Sequence, residues 1–151
     1  MWKHPYRNLC AITAALAIFA GCALAVNHHE LNGSWRLIPE RSEFHGESVI
    51  QSGTVTIDDR QGNVYVSRNF NYDGANQSTA LTFSTDAREK ASIKEPGIKS
   101  KTQWKGDVLE VTTTRDGGTT VERYSLRDDG TMALVIDRPN HSLETLLFQR
   151  Q

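Results

Sequence analysis

From residue 33 onward, apolar and polar side chains alternate in runs of about 6–10 residues, and almost every run ends at a turn signal. The signals are residues 58–63, Asp73-Gly74, Pro96-Gly97, Lys105-Gly106-Asp107, Asp116-Gly117-Gly118, Asp129-Gly130 and Pro139-Asn140. A period of two buries one face of an extended segment, and Asp-Gly or Gly-Gly supplies the positive φ angles of a tight hairpin. Threonine, valine and aromatic residues dominate the runs, as pleated strands prefer. This predicts strands at 33–38, 48–58, 63–72, 77–86, 91–95, 98–105, 107–115, 118–127, 131–138 and 143–150. Only residues 39–44, opening on Pro39, suggest a helical turn. Ten short strands joined by hairpins form an all-β, antiparallel up-and-down meander. A flat sheet that wide has two open edges and no buried face, so the pattern favours closure into a barrel, with two packed sheets as the alternative. No helical period alternates with the strands, which excludes a doubly wound α/β fold.

The first 25 residues differ from the rest. Lys3 and Arg7 precede an uncharged apolar run from Leu9 to Ala25, the order of an export signal. Ala20-Gly21-Cys22 resembles a bacterial lipobox, which implies cleavage before Cys22 and acylation of its thiol. Ala23-Leu24-Ala25 is a competing A-x-A site, and cutting there would free a soluble protein. The expected organisation is a signal segment at 1–21 (or 1–25), a tether at 22–32 and one β-barrel domain at 33–151. The expected address is the periplasm-facing cell envelope, with the outer membrane favoured, through a lipid anchor at Cys22. The alternative is a soluble periplasmic or secreted protein. An uncleaved anchor helix is a third reading, at the short limit for a span.

Composition narrows the function. Net charge is −1, and losing Lys3 and Arg7 takes it to −3, which is no footprint for nucleic acid. Both cysteines, Cys10 and Cys22, fall in the export segment, so the domain is expected to rely on its core without disulfides. There is no G-x-S-x-G elbow, P-loop, H-E-x-x-H or C-x-x-C, so neither an enzyme nor a cofactor site is expected. His28-His29-Glu30 carries metal-ligand residue types, but in the tether it lacks a fixed third ligand, so a solvated linker and no metal are expected. His45 and His141 read as surface residues. The carboxylate pairs Asp58-Asp59 and Asp128-Asp129 fall at turn signals, where aspartate bonds its own backbone.

Seven aromatic residues, Trp35, Phe70, Tyr72, Phe83, Trp104, Tyr124 and Phe148, are spread over six of the strands. They either fill the core or line a cavity, since a small barrel can do both. Parity adds one anomaly. Val64, Val66, Arg68, Phe70 and Tyr72 share a face, opposite the wetter face of Tyr65, Ser67, Asn69 and Asn71. Arg68 is thus a charge on an apolar face and must find an anion, water or carbonyls. A protein carboxylate such as Glu110, or a bulge that turns Arg68 outward, would also resolve it. Arg123 is ambiguous: it shares a face with Val121 and Ser125, while Tyr124 and Leu126 lie opposite.

Gly33-Ser34-Trp35 matches the G-x-W signature of the lipocalin first strand, and the chain resembles small exported lipocalin-like proteins of the calycin group. That resemblance implies a barrel with Trp35 beneath it and a late-strand arginine, here Arg150, packed across the indole. There is no helix near the end, as lipocalins have, and residues 39–47 are too short for the two-helix lid of fatty-acid-binding barrels. The resemblance further implies a small hydrophobic or fatty-acid-like ligand, with Arg68, Phe70, Tyr72, Trp104 and Arg123 as its contacts and Arg68 at an acidic head. The rival is an envelope interaction protein with a filled barrel and no ligand.

Overall fold

The computed structural model describes residues 28–45 and 49–151. Cys22 and the export segment lie outside the described residues. Ten strands make one antiparallel sheet: β1 (Gly33–Leu37), β2 (Ile50–Arg60), β3 (Asn63–Tyr72), β4 (Ala75–Ser84), β5 (Lys90–Ala91), β6 (Lys99–Lys105), β7 (Val108–Arg115), β8 (Gly118–Leu126), β9 (Met132–Asp137) and β10 (Glu144–Arg150). Their spatial order is β4-β3-β2-β1-β10-β9-β8-β7-β6-β5. First and last strands therefore pair, with Trp35 opposite Arg150, and the sheet curls around a common interior.

The curl is incomplete. β4 and β5 are both free edges, and β4 approaches β6 across the opening. The expected barrel is thus a half-barrel with a mid-chain gap, and the expected strand at 91–95 shrinks to Lys90–Ala91. Its one large apolar side chain, Ile93, is fully exposed, so nothing there repays ordering a longer strand. The turns tighten elsewhere. Asp73 and Gly74 take φ of 52° and 84°, the pattern of a two-residue I′ loop, so β4 starts at Ala75 rather than 77. Gln61-Gly62 does the same at the end of β2, leaving Asp58 and Asp59 within the strand instead of in the turn.

Residues 39–41 form the helical turn expected at Pro39. The last part of the expected tether, in contrast, belongs to the fold. His29–Leu31 is a 3₁₀ turn, Leu31 is buried, and its carbonyl accepts the Trp35 Nε1–H at 2.9 Å. Trp35 itself is fully buried, and the Arg150 guanidinium lies 4.3 Å over its ring. Arg150 also donates to the carbonyls of Asn32 and Glu30, each at 2.6 Å, so the late arginine ties the entering chain over the indole. This closes one end of the interior. Above it, Val55, Ile57, Val64, Val66, Leu109, Leu134, Leu146 and Phe148 fill the space between strands.

Trp35→Ala should cost about 3–5 kcal/mol in a denaturant titration, the loss typical of a fully buried large aromatic. A cost under about 1 kcal/mol would place the indole on the surface and contradict the plugged end.

Candidate functional site

Six residues along β10 from Arg150, roughly 20 Å at the rise of a strand, the interior is no longer filled. A cavity of about 540 Å³ lies there, open to solvent, a size that suits a small molecule. Its apolar walls are Phe44, Ile50, Phe70, Tyr72 and Ile136. Local sequence explains two of them. The register of β2 against β3 slips between Ile50 and Ser52, and this bulge turns Ile50 inward opposite Tyr72. Gly53 faces Phe70, and a Cβ there would stand 2.3 Å from the Phe70 ring, so only glycine lets that ring lie across β2. A glycine inside an alternating strand is the signal that could have revealed this close approach.

Two ion pairs accompany the apolar walls. Arg68 points inward from β3 and grips Glu122 of β8 with both Nη atoms, Nη1 to Oε1 at 2.8 Å, and it also donates to the Tyr124 hydroxyl. Both charged side chains are largely buried, at 20% and 17% exposure. Burial opposes the Arg68 charge, but Tyr124 and Glu122 outweigh it and hold the guanidinium protonated beyond its ordinary range. Burial pushes the Tyr124 phenol well above its usual value despite Arg68, so the hydroxyl remains neutral. Burial likewise raises Tyr72, against the pull of Arg138 and Arg68. The second pair joins Arg138 Nη1 to Glu144 Oε2 at 2.9 Å. Gln77, Thr79 and His141 complete the lining.

The structure thus brings Arg68, Phe70 and Tyr72 together on one wall. It does not bring Trp104 or Arg123 to them. Trp104 faces inward but does not line the cavity; its ring stacks on His28 at 3.9 Å, which makes that histidine part of the packing rather than of a solvated linker. Arg123 is on the outer face of β8, bonded to Glu110 at 3.1 Å. Glu110 is therefore an outward partner of Arg123, Lys105 and Gln103, and the acid that meets Arg68 is Glu122. Glu122, Arg138 and Glu144 line the cavity and were not singled out by the sequence reading. Glu122 shares its strand face with Tyr124, and that parity was the available signal. His141, expected at the surface, is exposed and also lines the cavity mouth. Asp129 accepts from the backbone and hydroxyl of Thr131 and from Arg41, which together hold its carboxyl well below the usual range.

No protein-family model and no curated protein matches the sequence. Solved structures do match. The fluorescent protein UnaG is similar with a TM-score of 0.64 at 14% identity, over 83% of this chain and all of that one. Fatty-acid-binding protein 1 of Echinococcus granulosus matches with a TM-score of 0.59 at 8% identity, over 81% of this chain and 98% of its own. Apo lipid binding protein 8 of Caenorhabditis elegans matches with a TM-score of 0.59 at 12% identity, over 84% and 99%. The fold is that of the calycin and fatty-acid-binding-protein barrels. At these identities the likeness establishes the fold alone.

The Arg68–Glu122 contact predicts strong coupling. Arg68→Met should destabilise the protein by about 1–3 kcal/mol, because Glu122 is left without its partner. Adding Glu122→Leu should recover most of that loss. A double variant whose cost equals the sum of the two singles would show that the pair is not coupled.

Proposed function

We propose that this chain is an exported ligand-binding barrel that takes a small apolar or amphipathic molecule into the open half of its interior. The observation that carries this reading is the 540 Å³ cavity above a close-packed base, with apolar walls and a few convergent polar groups. A barrel serving only as an interaction surface has no use for such a space, and filling it with side chains would stabilise the fold. The names of two structural neighbours, a fatty-acid-binding protein and a lipid binding protein, agree with this chemistry. The cavity carboxylates Glu122 and Glu144 are each held by an arginine.

A neutral polarity-sensitive dye such as Nile red should bind the wild-type protein and brighten. Gln77→Trp places a large side chain over the cavity from an exposed edge strand, where folding tolerates it, and should weaken the dye by about tenfold or more. No binding to wild type, or equal binding to both proteins, would reject the cavity as the site.

Export and anchoring rest on the sequence. Ala20-Gly21-Cys22 at the end of the apolar run supports acylation of Cys22 and a place on the cell-envelope membrane, since two or more acyl chains give stable attachment. In a bacterial host, Cys22→Ala should move the protein from the membrane to the soluble fraction. A soluble wild-type protein beginning at Val26 would contradict the anchor.

A further inference from the structure

We propose that the cavity selects amphiphiles with an uncharged, hydrogen-bonding head, such as an alcohol or amide, and rejects carboxylates and ammonium groups. This rests on the binding reading above and names the class of ligand.

The cavity holds two arginines and two glutamates, matched one to one. Arg68 gives its fork to Glu122 in two parallel bonds and donates to Tyr124 as well. Arg138, with 41% of its side chain exposed, gives one Nη to Glu144, so an anionic head that meets it there lies beside the Glu144 carboxylate. A ligand carboxylate seeking Arg68 must displace Glu122, which then remains largely buried beside a second negative charge. Leaving a buried charge unpaired costs more than the new contact returns, and two like charges in one site repel. An ammonium head seeking Glu122 meets the same penalty through Arg68. The neutral groups carry no charge to be left unpaired. The Gln77 amide and the Thr79 hydroxyl line the cavity from an exposed edge strand, where a ligand can take the place of water, and the Tyr72 phenol lines it from β3. They can donate to and accept from a neutral head while both ion pairs stay intact. The apolar ring faces of Phe70 and Tyr72, 6.3 Å apart, offer contact to the tail.

The test compares three amphiphiles of equal chain length by displacement of Nile red at neutral pH: dodecanol, dodecanoate and dodecyltrimethylammonium. Wild type should bind dodecanol about tenfold or more tightly than either charged compound. Glu122→Gln removes the competing carboxylate and frees the Arg68 fork, so dodecanoate should improve until the preference over it disappears or reverses. Thermal melts establish that the variant is folded; if it is not, the wild-type ranking decides alone. Dodecanoate binding wild type as well as dodecanol overturns the proposal while leaving the cavity a binding site. A folded Glu122→Gln with an unchanged ranking overturns it too, as does dye binding that none of the three displaces. Absence of dye binding itself removes the binding reading, and this proposal with it.

Discussion

A charge placed inside a β-barrel must be answered, and the answer to Arg68 organises this interior. Its guanidinium reaches from β3 to Glu122 and Tyr124 on β8, strands that are not neighbours in the sheet. The contact therefore spans the interior, tying the two walls together where hydrogen bonds of the sheet cannot. It also divides the space. Toward Trp35 lie close-packed aliphatic side chains, and toward Glu144 lies the open cavity. Buried ion pairs seldom add much net stability over well-packed apolar residues. What this one provides is a polar floor: the water-accessible half can carry hydrogen-bonding groups without exposing the dry half to them.

The closed end follows a different logic. A curled sheet leaves its base open unless something covers it. Here Trp35 fills the base, Leu31 and its turn lie beneath, and Arg150 clamps the two carbonyls of the entering chain while covering the indole. First and last strands are adjacent, so the same arrangement joins both ends of the domain. The mid-chain gap between β4 and β5 then falls away from this anchor, and β4, exposed on nearly all its residues, forms the lip of the cavity. Stability sits at one end and access at the other, a division common in proteins that must admit a ligand.

Much of this was legible in the residues. Alternation and Asp-Gly turns placed all ten strands to within about two residues at most ends, because period and turn chemistry are local properties. The parity of Val64, Val66, Phe70 and Tyr72 sent Arg68 inward, and Gly33-Ser34-Trp35 with Arg150 anticipated the plugged base. What was lost depends on pairing across the sheet. Glu122 and Glu110 stand twelve residues apart on adjacent strands, and which of them faces Arg68 is decided by three-dimensional register. Arg123 shared a strand with the true partner yet points outward, since neighbours in a strand face opposite ways. The gap was invisible because no short-range signal distinguishes a strand that pairs from one left as an edge. The hollow half was equally hidden, since volume is a property of the assembled walls.

The central claim is that one interior has a filled half and a receptive half, separated at Arg68 and Glu122. Methyl NMR during titration with a neutral amphiphile tests it most directly. Shifts should concentrate on Ile50 and Ile136, which line the cavity, and leave Ile57 and Val64, which lie toward the closed end from the ion pair, nearly unmoved. Equal shifts in both groups, or shifts confined to outward-facing methyls such as Val135, would contradict the division of the barrel on which the account depends.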